Sequence, residues 1–271
     1  QHTVSRLLGK LARSRITWFK NFLIRIFIRH FNVDMSEAAE EDYTKFPSFN
    51  AFFTRSLKPD ARVMPEDPHA VISPVDGFIS EFGAIQDQQL FQAKGHTYNL
   101  MALLGGDHEM VSHFHNGMFL TAYLSPRDYH RVHMPSSGIL KSMTHVPGSL
   151  FSVNPETVAG VPNLFARNER VVCFFESDHG PLAVILVGAI VVASIATQWH
   201  GIVTPPTRSL LQRWSYVNNP MRFQRGAEIG HFEVGSTAIV LYGKNAISWG
   251  EGLKAGQMLR LGQVIGAQIT C

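Results

Sequence analysis

Cysteine is nearly absent from this sequence: Cys173, inside an apolar run, and Cys271, the last residue, are the only two. Two thiols so far apart make neither a disulfide framework nor the paired spacing of a cysteine metal site, and a buried thiol plus a terminal one in a cytoplasm-facing protein is the expected reading. Acidic residues are missing from positions 1–33, which carry seven Lys or Arg (Arg6, Lys10, Arg13, Arg15, Lys20, Arg25 and Arg29). The other 17 basic residues face all 21 acidic ones, so the positive pole of the chain is its N-terminal stretch and the expected partner is an anionic surface. No uncharged run reaches the roughly 18 residues that a spanning helix needs. Internal repeats and low-complexity segments are also lacking. Position 1 is glutamine, so the sequence is expected to begin inside a longer one.

What is present is a chain of 271 residues, enough for one large domain with an appendage. Residues 3–32 read as one or two helices, with Leu7, Leu8 and Leu11 and then Trp18, Phe19, Phe22, Leu23, Ile26 and Phe27 beside a narrow polar stripe of Asn21, Arg25 and Arg29. A basic, aromatic-rich helix of this kind suits a membrane interface. A core helix is the competing reading, weakened by the arginines. A nucleic-acid arm is another, weakened by large aliphatic side chains that phosphate contact does not require. Ser48 is placed to cap a short helix carrying Phe49, Phe52 and Phe53, and the prolines from Met64-Pro to Pro68 mark a boundary near 60–70. That boundary separates a helical, membrane-associating region, 1–70, from a β-rich region, 71–271.

From Val71 onward short β-prone runs alternate with turn residues, which predicts an antiparallel sandwich or barrel. The apolar stretch 181–196, with Gly188 inside it, reads as two buried strands.

Four places carry candidate chemistry. Ser125-Pro-Arg-Asp128 reads as a capped single helical turn that His130 closes, with His133 in an extended segment before Pro135. Asp76 lies in the tight turn Ser73-Pro-Val-Asp-Gly77, where an aspartate commonly bonds its own backbone. His113-Phe-His115 would set two rings on one face of a strand, which keeps a histidine-ligated zinc hydrolase on a β scaffold in view. Val234-Gly-Ser-Thr237 precedes the β-prone run Ala238–Tyr242, and Gly235 leaves its carbonyl open to attack. A non-catalytic membrane-binding β module is the third reading.

Taken together, these residues resemble the pyruvoyl-dependent phosphatidylserine decarboxylases, the likeness running through Phe49-Asn-Ala-Phe-Phe-Thr-Arg55, Pro74-Val-Asp-Gly77, Gln92-Ala-Lys-Gly-His-Thr-Tyr98, Tyr123 to Pro135, Val161 to Arg170 and Gly235-Ser-Thr237. Val234 departs from the leucine usual at that point and is equally apolar. The resemblance implies an α+β fold, with membrane-facing N-terminal helices packed on a β-rich, sandwich- or barrel-like catalytic core. It also implies a proenzyme cut between Gly235 and Ser236, giving a β chain 1–235 and an α chain 236–271 that stay together. Asp76, His133 and Ser236 match the family's self-cleavage charge relay, and Ser236 would become a pyruvoyl cofactor that condenses with phosphatidylserine as a Schiff base and releases phosphatidylethanolamine. His130 would then be the proton donor in turnover, with Asp128 supporting either histidine, and no metal is implied. Expected surroundings are the cytoplasmic face of the cell membrane, held peripherally, with homodimer formation as in other members. The His96-Thr-Tyr98 region and Arg127 or Arg131 are candidates for holding the headgroup.

Overall fold

The structure, a computed structural model, describes residues 11–93, 96–189, 194–204, 210–233 and 236–269. It is α+β and mostly sheet, and every pairing between its strands is antiparallel. The largest sheet has nine strands, and its centre is Ser236–Tyr242, flanked by Gly180–Gly188 on one side and Met118–Leu124 on the other. All seven positions of that central strand are buried. Its residues Ser-Thr-Ala-Ile-Val-Leu-Tyr explain this, because a strand covered on both faces needs apolar side chains at odd and even positions alike.

The two faces carry different cores. Ala238, Val240 and Tyr242 point with Leu120, Ala122, Val184 and Leu186 toward a second, four-stranded sheet that supplies Val132, Ile195, Ile229 and Phe232. Ile239 and Leu241 point the other way, to short helices contributing Leu103, Met110, Phe114 and Phe165. The molecule is therefore sandwich-like on one side of the main sheet and helix-covered on the other. The stretch 181–196 does supply two strands, Gly180–Gly188 and Ile195–Thr197, in different sheets.

The N-terminal helix Thr17–Phe31 ends where Asn32 takes the left-handed conformation (φ 52°) and its N–H closes on Ile28 O. Its inner stripe, with Ile24 fully buried and Phe27 set against Phe49, Phe52 and Phe53, packs on helix Phe49–Phe53. Ser48 Oγ caps that second helix by accepting from Ala51 N–H, as the sequence predicts. The opposite stripe of the first helix presents Trp18, 73% exposed, with Phe22 and Ile26. No helix among the described residues is long and apolar enough to cross a membrane.

Two local readings change. Residues His108–Phe114 form a helix, capped by Asp107 Oδ1 on Met110 N–H, because Met110, Val111 and Phe114 bury one helical face. His113 therefore stacks on Phe174 while His115 follows the helix end, and the two rings share no strand face. Residues 125–128 form a single hydrogen-bonded turn whose cap is reversed: Asp128 N–H donates to Ser125 O, and it is the Asp128 carboxylate that accepts from both the N–H and the hydroxyl of Ser125.

Candidate active site

Ser236 opens the central strand, paired with Leu124 and Gly188, and is fully buried. Val234 and Gly235, on the other side of the expected cut, lie outside the described residues. The strand Met118–Leu124 runs directly into the Ser125–Asp128 turn, which reverses the chain and returns His130 to the start of the central strand. The turn is closed at both ends, with 2.7 Å from Asp128 Oδ2 to each of Ser125 N and Oγ. Burial pushes the Asp128 carboxyl above the ordinary carboxylate range.

His130 is fully buried, its ring stacked on Phe53 at 4.1 Å. Its Nε2 lies 3.1 Å from Ser125 O, which can only accept, so Nε2 carries the ring proton. That leaves the lone pair of Nδ1 facing the Ser236 hydroxyl at 3.4 Å. Burial, aided by the positive Arg55 guanidinium, lowers the imidazole pKa to about 3. At neutral pH His130 is an uncharged acceptor aimed at Ser236.

His133 ends the short strand Arg131–His133 of the second sheet. Its Nδ1–H donates to Gly226 O at 2.8 Å, and its Nε2 accepts from the Tyr129 hydroxyl at 3.1 Å. Burial lowers its pKa as well. The backbone ties it to the Asp76 turn, since His133 N–H donates to Pro74 O at 2.9 Å. Asp76 itself is held by Arg62, Nε to Oδ1 at 3.0 Å with Nη2 on Oδ2, and by Leu261 N–H at 2.8 Å. Gly77 makes that turn possible, because at its φ of 152° a Cβ would lie 2.2 Å from Tyr123 O.

The structure therefore gathers Ser236, His130 and the Ser125–Asp128 turn into one contact set. Asp76 and His133 sit on adjoining segments, and their described hydrogen bonds run to other partners, not to each other or to Ser236. Of the headgroup candidates, Tyr98 is buried on the helix-covered face with its hydroxyl 3.5 Å from Thr121, and Arg131 is fully engaged by Thr54 O and Glu228. Arg127 remains half-exposed at the rim of a cavity of about 240 Å³ lined also by Asn32, Arg55, Arg62, Asp76 and Tyr129. Sequence reasoning missed Phe53, Arg55, Arg62 and Tyr129. Phe53 and Arg55 lay within a segment carrying the resemblance, and their places at the end of the short helix and two residues beyond it were the available signal. Among the described residues, no three His, Cys, Asp or Glu side chains are grouped to hold a metal.

Comparison with known proteins bears on the same residues. A family model described as phosphatidylserine decarboxylase matches residues 49–267, and a second, described as PSD, matches residues 1–32. A phosphatidylserine decarboxylase proenzyme of Methylococcus capsulatus is 53% identical over 267 residues, covering 98% of this chain and 93% of its own length. The proteins of the same name from Azotobacter vinelandii (52% over 268 residues, 98% and 93% covered) and Pseudomonas aeruginosa (53% over 267 residues, 97% and 92%) are similar to the same extent.

Proposed function

Because the chain belongs to the phosphatidylserine decarboxylase family, we propose that it is made as a proenzyme, cuts itself between Gly235 and Ser236, and decarboxylates phosphatidylserine to phosphatidylethanolamine. The observation that carries this is the near full-length match to proteins named as such proenzymes, with Ser236 buried against a histidine. In the cut, the Ser236 hydroxyl attacks the Gly235 carbonyl. The resulting ester breaks by β-elimination, so Oγ leaves with the Gly235 carboxylate, and hydrolysis of the new N-terminus releases ammonia. A pyruvoyl group loses the serine nitrogen and Oγ and gains one ketone oxygen, so it fits the space that Ser236 occupies beside His130. Once formed, it supplies the electron sink for the carbon that loses CO₂.

The protein side chains divide the remaining work. His130 faces position 236 and moves a proton at the reacting carbon during turnover. An anionic substrate beside Arg55 offsets the guanidinium charge that adds to burial in holding the imidazole neutral, which favours uptake of that proton. Asp128 fixes the turn whose carbonyl orients the ring. We assign Asp76 and His133 to the cut, as orienting carboxylate and base. Because His133 is bonded to Tyr129 and Gly226, that role requires its ring to turn. The 3.4 Å contact favours a second reading, in which His130 is the base for the cut as well.

The outward ridge of Trp18, Phe22 and Ile26, with Arg25 and Arg29 exposed beside it, supports a peripheral seat on an anionic membrane. We place that seat on the cytoplasmic face of the cell membrane, with residues 1–70 as the associating region and two copies pairing. Intact mass under denaturing conditions tests the central claim. Two fragments divided between Gly235 and Ser236, the smaller reactive to hydroxylamine at its first residue, are expected. An active enzyme with unmodified Ser236 in one continuous chain overturns it.

A further inference from the structure

Three cations buried among the described residues make no ion pair, and two of them are satisfied by oxygen acceptors: Arg170 by four backbone carbonyls, Lys20 by Asn21 Oδ1 and Thr44 O; Arg55 is not. Arg55 follows helix Phe49–Phe53 and is only 4% exposed, yet among the described residues it forms no ion pair. Its Nη2 donates to Arg127 O at 3.1 Å, and the Phe52 ring lies 5.4 Å from its guanidinium carbon. Its Nε and Nη1 are buried without a hydrogen-bond partner. Burial without hydrogen bonds is strongly unfavourable for a guanidinium, and an arginine does not escape the cost by losing its proton at physiological pH. The other buried arginine in the same cavity is treated differently: Arg62 is held by Asp76 and Glu37. Exposed Arg260 pairs with Glu37 at 3.0 Å.

The cavity sets Arg55, Arg62, Arg127 and Arg260 against Asp34, Glu37, Asp76 and Asp128, and of these arginines Arg55 is the one with no carboxylate within ion-pair distance. The cavity lies between Asn32 and Asp34, just past the end of the first helix, and the Arg127–Tyr129 segment, and its volume of about 240 Å³ is several times that of a water molecule, roughly 30 Å³. Arginine's fork of donors suits the paired oxygens of a phosphodiester or a carboxylate. A carboxylate that must leave as CO₂ is a poor choice of anchor, because an ion pair would stabilise its charge more in the ground state than in the transition state. The phosphodiester keeps its charge throughout, so binding it costs the reaction nothing. Position also fits: Phe53, two residues before Arg55, stacks on His130, and Arg55 is close enough to His130 to oppose its protonation. In the substrate the phosphorus is joined to the amine-bearing carbon through one oxygen and one methylene.

We propose that Arg55, with Arg127 at the rim, is the site that holds the phosphodiester of the lipid headgroup. The assignment rests on the decarboxylase reading above. The acyl-bearing side of the diester then leaves past Asn32, at the end of the helix whose outer ridge is apolar.

The test uses the full-length, self-cut enzyme with a short-chain phosphatidylserine kept below its micellar concentration, so that vesicle binding does not enter. Arg55→Gln is expected to raise KM at least tenfold with a smaller change in kcat, Arg55→Lys to recover part of that loss, and Arg127→Gln to raise KM less. Glycerophosphocholine, a phosphodiester without a primary amine, is expected to compete with substrate in the wild type and to lose its effect in Arg55→Gln. Should Arg55→Gln arrest self-cutting, Arg55→Lys and Arg127→Gln provide the KM and competition comparison. An unchanged KM across these variants, a loss confined to kcat, or undiminished competition by glycerophosphocholine overturns the assignment. Inhibition by inorganic phosphate as strong as by the diester also overturns it, since the site would then serve free phosphate. A wild-type enzyme that cuts itself but leaves the short-chain lipid unchanged counts against the decarboxylase reading instead.

Discussion

The guanidinium of Arg13 lies 2.5 Å from the buried carboxylate of Glu233, joining the basic N-terminal stretch to the segment that leads into Ser236. Glu233 Oε1 also accepts from Asn50 Nδ2 at 3.0 Å, and its N–H donates to Ser194 O at 2.9 Å. Helix Phe49–Phe53 thus holds Glu233 through Asn50 and His130 through Phe53. Arg13→Ala leaves a buried carboxylate short of its cation and should slow conversion of precursor to fragments several-fold in a pulse-chase, while turnover per cut molecule changes little. The double exchange Arg13→Glu with Glu233→Arg should recover part of the rate. Conversion of Arg13→Ala at the wild-type rate would count against a link between the N-terminal segment and the cut.

The two histidines separate by experiment. His133→Ala should accumulate uncut chain, whereas His130→Ala should be cut and yet turn over at least a hundredfold more slowly, the general scale of a lost acid–base group. Gel mobility reports the first effect and released CO₂ the second. If His130→Ala stays uncut, the 3.4 Å contact with Ser236 Oγ marks the base for the cut, and the assignment to His133 fails.

Acid should weaken the fold through His130. Its imidazole is held neutral, with a pKa of about 3, while in the unfolded chain it takes a proton below about pH 6.5. The unfolded state binds the extra proton across that window, so this contribution is whole above pH 6.5 and is lost as pH falls toward 3. Between pH 6.5 and 5 the loss is about 2 kcal/mol for this one group. His133 and His231, also lowered by burial, act in the same direction, and Asp128, raised by burial, acts in the opposite one. Urea midpoints of an uncut Ser236→Ala chain should fall over this range, and adding His130→Gln should flatten the slope. Parallel slopes for the two proteins would show that His130 is not held neutral.

The outer ridge of the first helix should govern vesicle binding and not chemistry. Replacing Trp18, Phe22 and Ile26 together by serine removes three side chains worth roughly 1.5–3 kcal/mol each if fully buried in an apolar phase. Cosedimentation with anionic vesicles should weaken at least tenfold, with self-cutting and turnover of short-chain lipid retained. Undiminished cosedimentation would remove this ridge from the membrane contact.

The parts of the structure visible in the sequence are those that local pattern controls. Continuous apolar runs at 171–175, 182–187 and 238–242 announced the central strands, because strands buried on both faces leave that record. Ser48 announced its helix through a cap spanning three residues. His113-Phe-His115 misled because a three-residue alternation looks like a strand, whereas the helix is set by Asp107 and by apolar spacing on either side. What no local pattern could reveal is pairing across the chain. That Arg62 would take Asp76 and that His130 would be the histidine on Ser236 depend on where segments 14 and 106 residues apart meet.

The place of Ser236–Tyr242 in the middle of the main sheet fixes an order of events during synthesis. Both neighbouring strands, Met118–Leu124 and Gly180–Gly188, emerge from the ribosome earlier and wait for a partner that is made late. Met258–Leu259 and Val264–Gln268, later still, pair with Gly77–Ala84 and Ala70–Ile72 from the beginning of the sheet region. A nascent chain therefore cannot assemble the centre of its main sheet until Ser236–Tyr242 has been made.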